Sequence, residues 1–187
     1  AMRRSDCSVL VGSPVEGPPR WTSTTTRGSS RETASPMVSD FSATPGVVQA
    51  AEACMRSGRT QYTQATGLPE LRERIARWYG TRFGLDIAPS RIVVTAGASA
   101  ALQLACLALF EAGDEVLMPD PSYPCNRHFV AAAGATARLL PASAEARFQL
   151  DADSVRAHWN AHTRGVLLAS PSNPTGTSIA RAEMAAI

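Results

Sequence analysis

The chain reads as an α/β domain with a largely parallel sheet and helices on both faces. Three observations predict this. Short apolar runs at 91–97, 114–119, 135–141 and 164–170 alternate with longer stretches of helical spacing. The strand runs lack strict polar alternation, as strands covered on both faces do. The unusual loops, Gly97-Ala98-Ser99, Asp120-Pro121-Ser122-Tyr123 and Ser170 through Gly176, each follow a strand run. In such sheets that collects them at the carboxyl rim, where ligands bind.

Residues 1–39 carry neither period. The stretch "WTSTTTRGSSRETASP" is rich in Ser, Thr and Arg and is expected to be irregular. Order begins near Asp40. Val47, Val48, Ala51, Cys54 and Met55 recur at helical spacing behind Thr44-Pro45, with Gly58 as the stop. Leu71, Ile75, Trp78, Tyr79 and Phe83 mark a second amphipathic helix from Pro69 to Gly84. "RIVVTAG" (91–97) is predicted as the first strand. The stretch 99–113 is apolar nearly all round and is expected to be a buried helix. "DEVLMP" (114–119) follows as a strand, 123–134 as a helix after Pro124, and "ATARLLP" (135–141) as a strand. A short helix is expected within 151–162, a strand at 164–170 and a helix start at 178–187.

Composition narrows the function. The 187 residues are 44% hydrophobic, enough for one domain with a core. A net charge of +2 is too small to imply nucleic acid or a polybasic membrane anchor. No apolar run would span a bilayer, and residues 1–20 lack a secretory core segment. A transit peptide is the rival reading of the Ser- and Arg-rich start; Pro14, Pro18 and Pro19 oppose it. Cys7, Cys54, Cys106 and Cys125 form no C-x-x-C pair, so a reduced cytoplasmic setting is expected. His158 and His162 could share a helix face, but no third ligand stands near, and no metal site is expected. All eighteen basic residues are arginine, so chemistry that needs a lysine amine cannot be completed by these residues.

"TAGASAAL" (95–102) sets small residues between a strand and a helix. Small residues let a phosphate approach the backbone, and the helix N-terminus offers unpaired N–H groups. Gly97, Ala98 and Ser99 are therefore candidate phosphate ligands. The same stretch is close to a G-x-S-x-G nucleophile elbow, with Asp151 or Asp153 and His158 or His162 following in order. That makes an α/β-hydrolase with Ser99 as nucleophile an alternative. Tyr123 stands past a strand end, where its ring could stack on a flat ligand. Asn173, between Pro171 and Pro174, is held out of helix with an amide free to donate to a ligand oxygen.

Together these stretches resemble the pyridoxal-phosphate enzymes of fold type I, specifically class I/II aminotransferases. "SPSNPTG" resembles the loop whose asparagine binds the cofactor's 3′-oxygen, which implies that role for Asn173. "TAGASAAL" resembles the phosphate turn, implying Gly97, Ala98 and Ser99, and "DPSYP" the ring-stacking segment, implying Tyr123. "QYTQATGLPELRERIARWY" (61–79) resembles a segment whose tyrosine reaches the cofactor phosphate of a neighbouring subunit, implying Tyr62 and a homodimer. "DFSATPGVVQAA" (40–51) resembles the end of the entry motif. The resemblance implies a partial aminotransferase-like large domain over 40–187, pyridoxal 5′-phosphate as cofactor, and amino acid and 2-oxo acid substrates.

The likeness has edges. Met37 and Ser39 stand where the family carries glycine and proline, and the match starts abruptly at Asp40. Residues 1–39 are therefore expected to come from a shifted reading frame, which the coding DNA in other frames would test. The family's Schiff-base lysine, pyridine-pairing aspartate and carboxylate-binding arginine follow the asparagine loop, so the chain is expected to be an N-terminal fragment, inactive alone. A non-catalytic binding or dimerisation module of the same fold is the second alternative.

Overall fold

The computed structural model describes residues 43–187; the segment 1–39 and the entry residues Asp40 and Phe41 lie outside them. Helix α1 (Pro45–Arg56) starts with proline in its first turn and α2 (Pro69–Phe83) does the same, as their sequences predict. A single 3-10 turn follows at Pro89–Arg91. Then come α3 (Gly97–Leu109), β1 (Glu115–Asp120), α4 (Cys125–Ala132), β2 (Thr136–Pro141), α5 (Ala152–His158), β3 (Thr163–Val166) and α6 (Arg181–Ala186).

The sheet is parallel, with order β2-β1-β3. Its centre is β1, whose residues Val116 to Pro119 are all buried. Alternate side chains of β1 feed two cores. Val116 and Met118 pack with Cys106 of α3 and Val130 of α4 on one face. Leu117 packs with Leu140, Leu150 and Val155 of α5 on the other. Val116, Leu117, Met118 and Val130 are the largest fully buried side chains, each worth about 1.5–3 kcal/mol of transfer free energy. A strand covered on both faces needs no polar alternation, which is why β1 reads as an uninterrupted apolar run.

Two expectations are corrected. Residues 92–96 do not form a strand. They run extended into α3, and Val94 N donates to Thr66 O at 3.0 Å. The β-branched composition favours extension, but strand pairing needs a neighbour, and none of the described strands lies beside this segment. Helix α3 is not buried all round either. It buries Cys106, while Leu104 and Leu107 are 51% and 53% exposed. Its apolar outer face has no cover among the described residues. Helices α1 and α2 likewise bury no residue; α2 stacks Trp78 edge-on to Tyr79 and Phe83 at 5.1 and 5.2 Å between ring centres.

The start of the domain is tied down by one glycine and one arginine. Gly67 is buried at φ +98°, and a Cβ there would stand 2.7 Å from Val94 Cβ and Cγ2. Arg72 of α2 donates from Nε to Pro89 O and Ile92 O, each at 3.0 Å. These contacts fix the extended segment that delivers the chain to α3, and with it the position of Gly97.

Candidate functional site

The site is built where α3, β1 and α4 meet. Gly97 opens α3 at φ +83°, a backbone state that side chains other than glycine resist, and the space a Cβ would point into is empty. Ala98, Ser99 and Ala100 follow, and no side chain caps the helix. Gly97 N donates to Thr95 O at 2.8 Å, and the N–H groups that follow it are uncapped, beside small residues and a hydroxyl. That donor set suits an anion held at a helix N-terminus.

Strand β1 ends at Asp120, and the loop 121–124 carries Tyr123 to the start of α4. The Cys125 thiol and the Ser99 hydroxyl act in opposite directions on the Tyr123 hydroxyl. The thiol, outweighing the opposing Ser99 hydroxyl, holds the phenol above its ordinary value of 10.0. Tyr123 thus stays protonated at neutral pH and is available as a donor. Helix α4 packs on α3, so the two stretches predicted separately stand side by side. Beside it, Ser122 Oγ, Asn126 Oδ1 and Arg127 Nε are buried and have no protein hydrogen-bond partner. Orphaned polar atoms at a strand's carboxyl end mark a place arranged for something other than packing.

Strand β3 runs parallel to β1, and Leu167 N extends the pairing to Leu117 O at 2.9 Å. The chain after β3 therefore leaves by the same rim. It forms a closed loop: Ser172 N donates to Thr177 O at 2.8 Å and Gly176 N to Ser172 O at 2.7 Å. Ser172 is buried beneath it and Asn173 is exposed on it. Gly97, Ala98, Ser99 and Tyr123 are thus brought to one corner, with Asn173 on the adjacent loop. Tyr62 is fully exposed and takes no part in that cluster.

The hydrolase arrangement is not formed. Asp151 Oδ1 accepts from Ser154 N at 2.7 Å as the cap of α5, and Asp153 pairs with Arg156 at 2.6 Å. His158 Nδ1 is 2.8 Å from Ser154 O. These residues belong to α5, whose Val155 packs on the sheet face opposite α3, so none is paired with Ser99. His158 is also the last residue of α5, and His162 lies in the turn beyond, so the two imidazoles do not share a helix face.

Sequence reading missed Cys125, whose thiol raises the Tyr123 phenol, and Gln149, a buried amide at the base of the Asn173 loop. The only local signal for Cys125 was its place directly after Tyr123-Pro124. Gln149 gave none, because its contacts are 20 and 28 residues away in the chain.

Known proteins carry the same pattern. The family described as "Aminotransferase class I and II" matches residues 38–187. Over 138 residues the chain is 43% identical to a valine–pyruvate aminotransferase of Mycobacterium tuberculosis, covering 74% of this chain and 35% of that protein. An aspartate aminotransferase of Pyrococcus horikoshii is 33% identical, covering 75% and 36%. Among solved structures, an aminotransferase from Mycobacterium tuberculosis superposes with a TM-score of 0.74 at 41% identity, covering 79% of this chain and 38% of that one. The aspartate aminotransferase of Rhizobium meliloti gives 0.74 at 33%, covering 79% and 37%. The chain spans little more than a third of the length of these relatives. With the family pattern matched over most of its length and the fold shared, this chain belongs to the class I and II aminotransferase family.

Proposed function

We infer that these residues form part of the cofactor-holding large domain of a pyridoxal-phosphate-dependent aminotransferase, which moves an amino group between an amino acid and a 2-oxo acid. The observation that carries this is the start of α3, where Gly97 stands at φ +83° and no side chain caps the helix, together with the buried, unpartnered polar atoms of Ser122, Asn126 and Arg127 after β1. Phosphate fits the uncapped N–H groups that follow Gly97, with the Ser99 hydroxyl as a further donor. The Tyr123 ring offers a stacking face, and the Asn173 amide a donor for the cofactor's ring oxygen. When bound, the cofactor supplies an aldehyde and an electron-withdrawing ring; the protein's share is to bind and orient it. The chain holds no lysine to bond that aldehyde or carry the substrate proton. It therefore binds without turning over, and a longer or second polypeptide must supply the amine. Tyr62, exposed and outside the cluster, is assigned to the cofactor phosphate of a second subunit in a homodimer. No helix among the described residues is long and apolar enough to cross a membrane. Among those residues Cys54, Cys106 and Cys125 are free thiols, which suits the cytoplasmic setting proposed.

Titration with pyridoxal 5′-phosphate, followed by protein fluorescence, tests the reading. Saturable binding is expected, weakened in Ser99→Ala and Asn173→Ala. A donor to a charged oxygen is worth about 1.5–3 kcal/mol, roughly a tenfold to hundredfold loss of affinity. Amino transfer to 2-oxoglutarate should not rise above a cofactor-only control. Unchanged affinity in both variants would show these loops to be turns only.

A further inference from the structure

A buried amide ties the two ends of the loop that carries Asn173. Gln149 is 6% exposed and lies between β2 and α5. Its Nε2 donates to Ala169 O at 3.2 Å, to Thr177 O at 3.0 Å and towards Thr177 Oγ1 at 3.3 Å. Ala169 and Thr177 are the two ends of the loop, so one side chain closes it across its base. The acceptors also fix which way the amide faces, because a turned amide would set its oxygen against two carbonyls. The backbone that aims Gln149 is strained: Arg147 and Phe148, directly before it, both sit at φ +55°. Neither residue adopts that state without cost, and such strain persists only where the surroundings enforce it. Arg147 adds a second strut, donating to Ser178 O at 3.3 Å and to both Glu183 oxygens at 2.9 and 2.8 Å.

We propose that Gln149 is a positioning residue, which sets the Asn173 loop at the rim through the strained Arg147–Phe148 turn. What the loop is positioned for rests on the cofactor reading above. The test uses the 187-residue chain with Gln149→Ala and Gln149→Glu. The second variant keeps the shape of the side chain but replaces the donor with a carboxylate facing two carbonyls. Val130→Ala, in the core on the sheet face opposite Leu150, serves as a control for general destabilisation. Amide hydrogen exchange at Ser172, Gly176 and Ile179 reads the loop, since these N–H groups bond to Thr177 O, Ser172 O and Ser170 Oγ. Both Gln149 variants should accelerate exchange at those three amides on the order of tenfold to a hundredfold relative to the β1 amides. Affinity for pyridoxal 5′-phosphate should fall by about tenfold in the same variants. Val130→Ala should lower Tm without raising the ratio of loop to β1 exchange. Loop amides that stay protected in Gln149→Glu, or that accelerate only in step with β1, would overturn the assignment. If the wild-type chain does not take up the cofactor at all, the cofactor reading falls, while the exchange ratio still decides whether Gln149 holds the loop.

Discussion

Replacing Gly67 with alanine would put a methyl group where the fold leaves no room for one. The new Cβ would stand 2.7 Å from both Cβ and Cγ2 of Val94, and 3.7 Å from its Cα. Val94 Cβ is attached directly to the backbone, so no rotamer change moves it away. Relief requires the 92–95 segment to shift, against the Val94 N to Thr66 O bond of 3.0 Å and the Arg72 bond to Ile92 O. Overpacking of this kind costs about 1–3 kcal/mol. The backbone adds to it, because φ +98° is a state that alanine holds only at about 1–3 kcal/mol. The sum, about 2–6 kcal/mol, is comparable with the whole margin of a small domain, about 5–15 kcal/mol. Urea unfolding followed by far-ultraviolet circular dichroism gives the loss, and exchange of the Val94 amide shows whether it falls on this junction. Val94→Ala removes Cγ2 and one of the two contacts, so the double variant should recover part of the loss through a coupling of about 0.5–3 kcal/mol. A Gly67→Ala loss below about 0.5 kcal/mol, or strict additivity with Val94→Ala, would refute the packing argument.

Three further outcomes are expected. Burial raises Glu115, but bonds from Asn160, Arg138 and Thr163 outweigh it and hold the carboxyl below its ordinary value of 4.5. A depressed carboxylate contributes stability above its unfolded value and loses it as pH falls through the folded one. The stability gap between wild type and Glu115→Gln, read as urea midpoints from pH 7 to 3, should therefore close below about pH 4.5; a constant gap would refute the role of ionisation. Leu117→Ala, at a fully buried site in the central strand, should cost about 2–5 kcal/mol by chemical denaturation, and a loss under 1 kcal/mol would mean the core is not where the sheet places it. The edge of β3, which no described strand pairs, and the exposed Leu104, Leu107 and Trp78 should make the isolated chain associate as concentration rises, seen by light scattering. A soluble monomer with a sharp, cooperative thermal transition would contradict that.

Much of this architecture is legible in the residues alone. Helical spacing places α1 and α2, and prolines mark their first turns. The unbroken apolar run of β1 shows a strand covered twice, and the small residues after Thr95 show where α3 begins. Period and turn chemistry act over a few residues, so the sequence displays them directly. The run 91–97 shows the limit of that logic. Its composition favours extension, yet pairing depends on a neighbour that the run itself does not specify, and the segment enters α3 unpaired. The exposure of α3 has the same origin, since burial is a property of what packs against a helix rather than of the helix. The tertiary structure alone packs α4 on α3, and it alone carries Gln149 to Ala169 and Thr177, 20 and 28 residues away. Side chains so far apart in sequence meet only because a parallel sheet returns each strand to the same rim, and no local pattern records which residues that return will bring face to face.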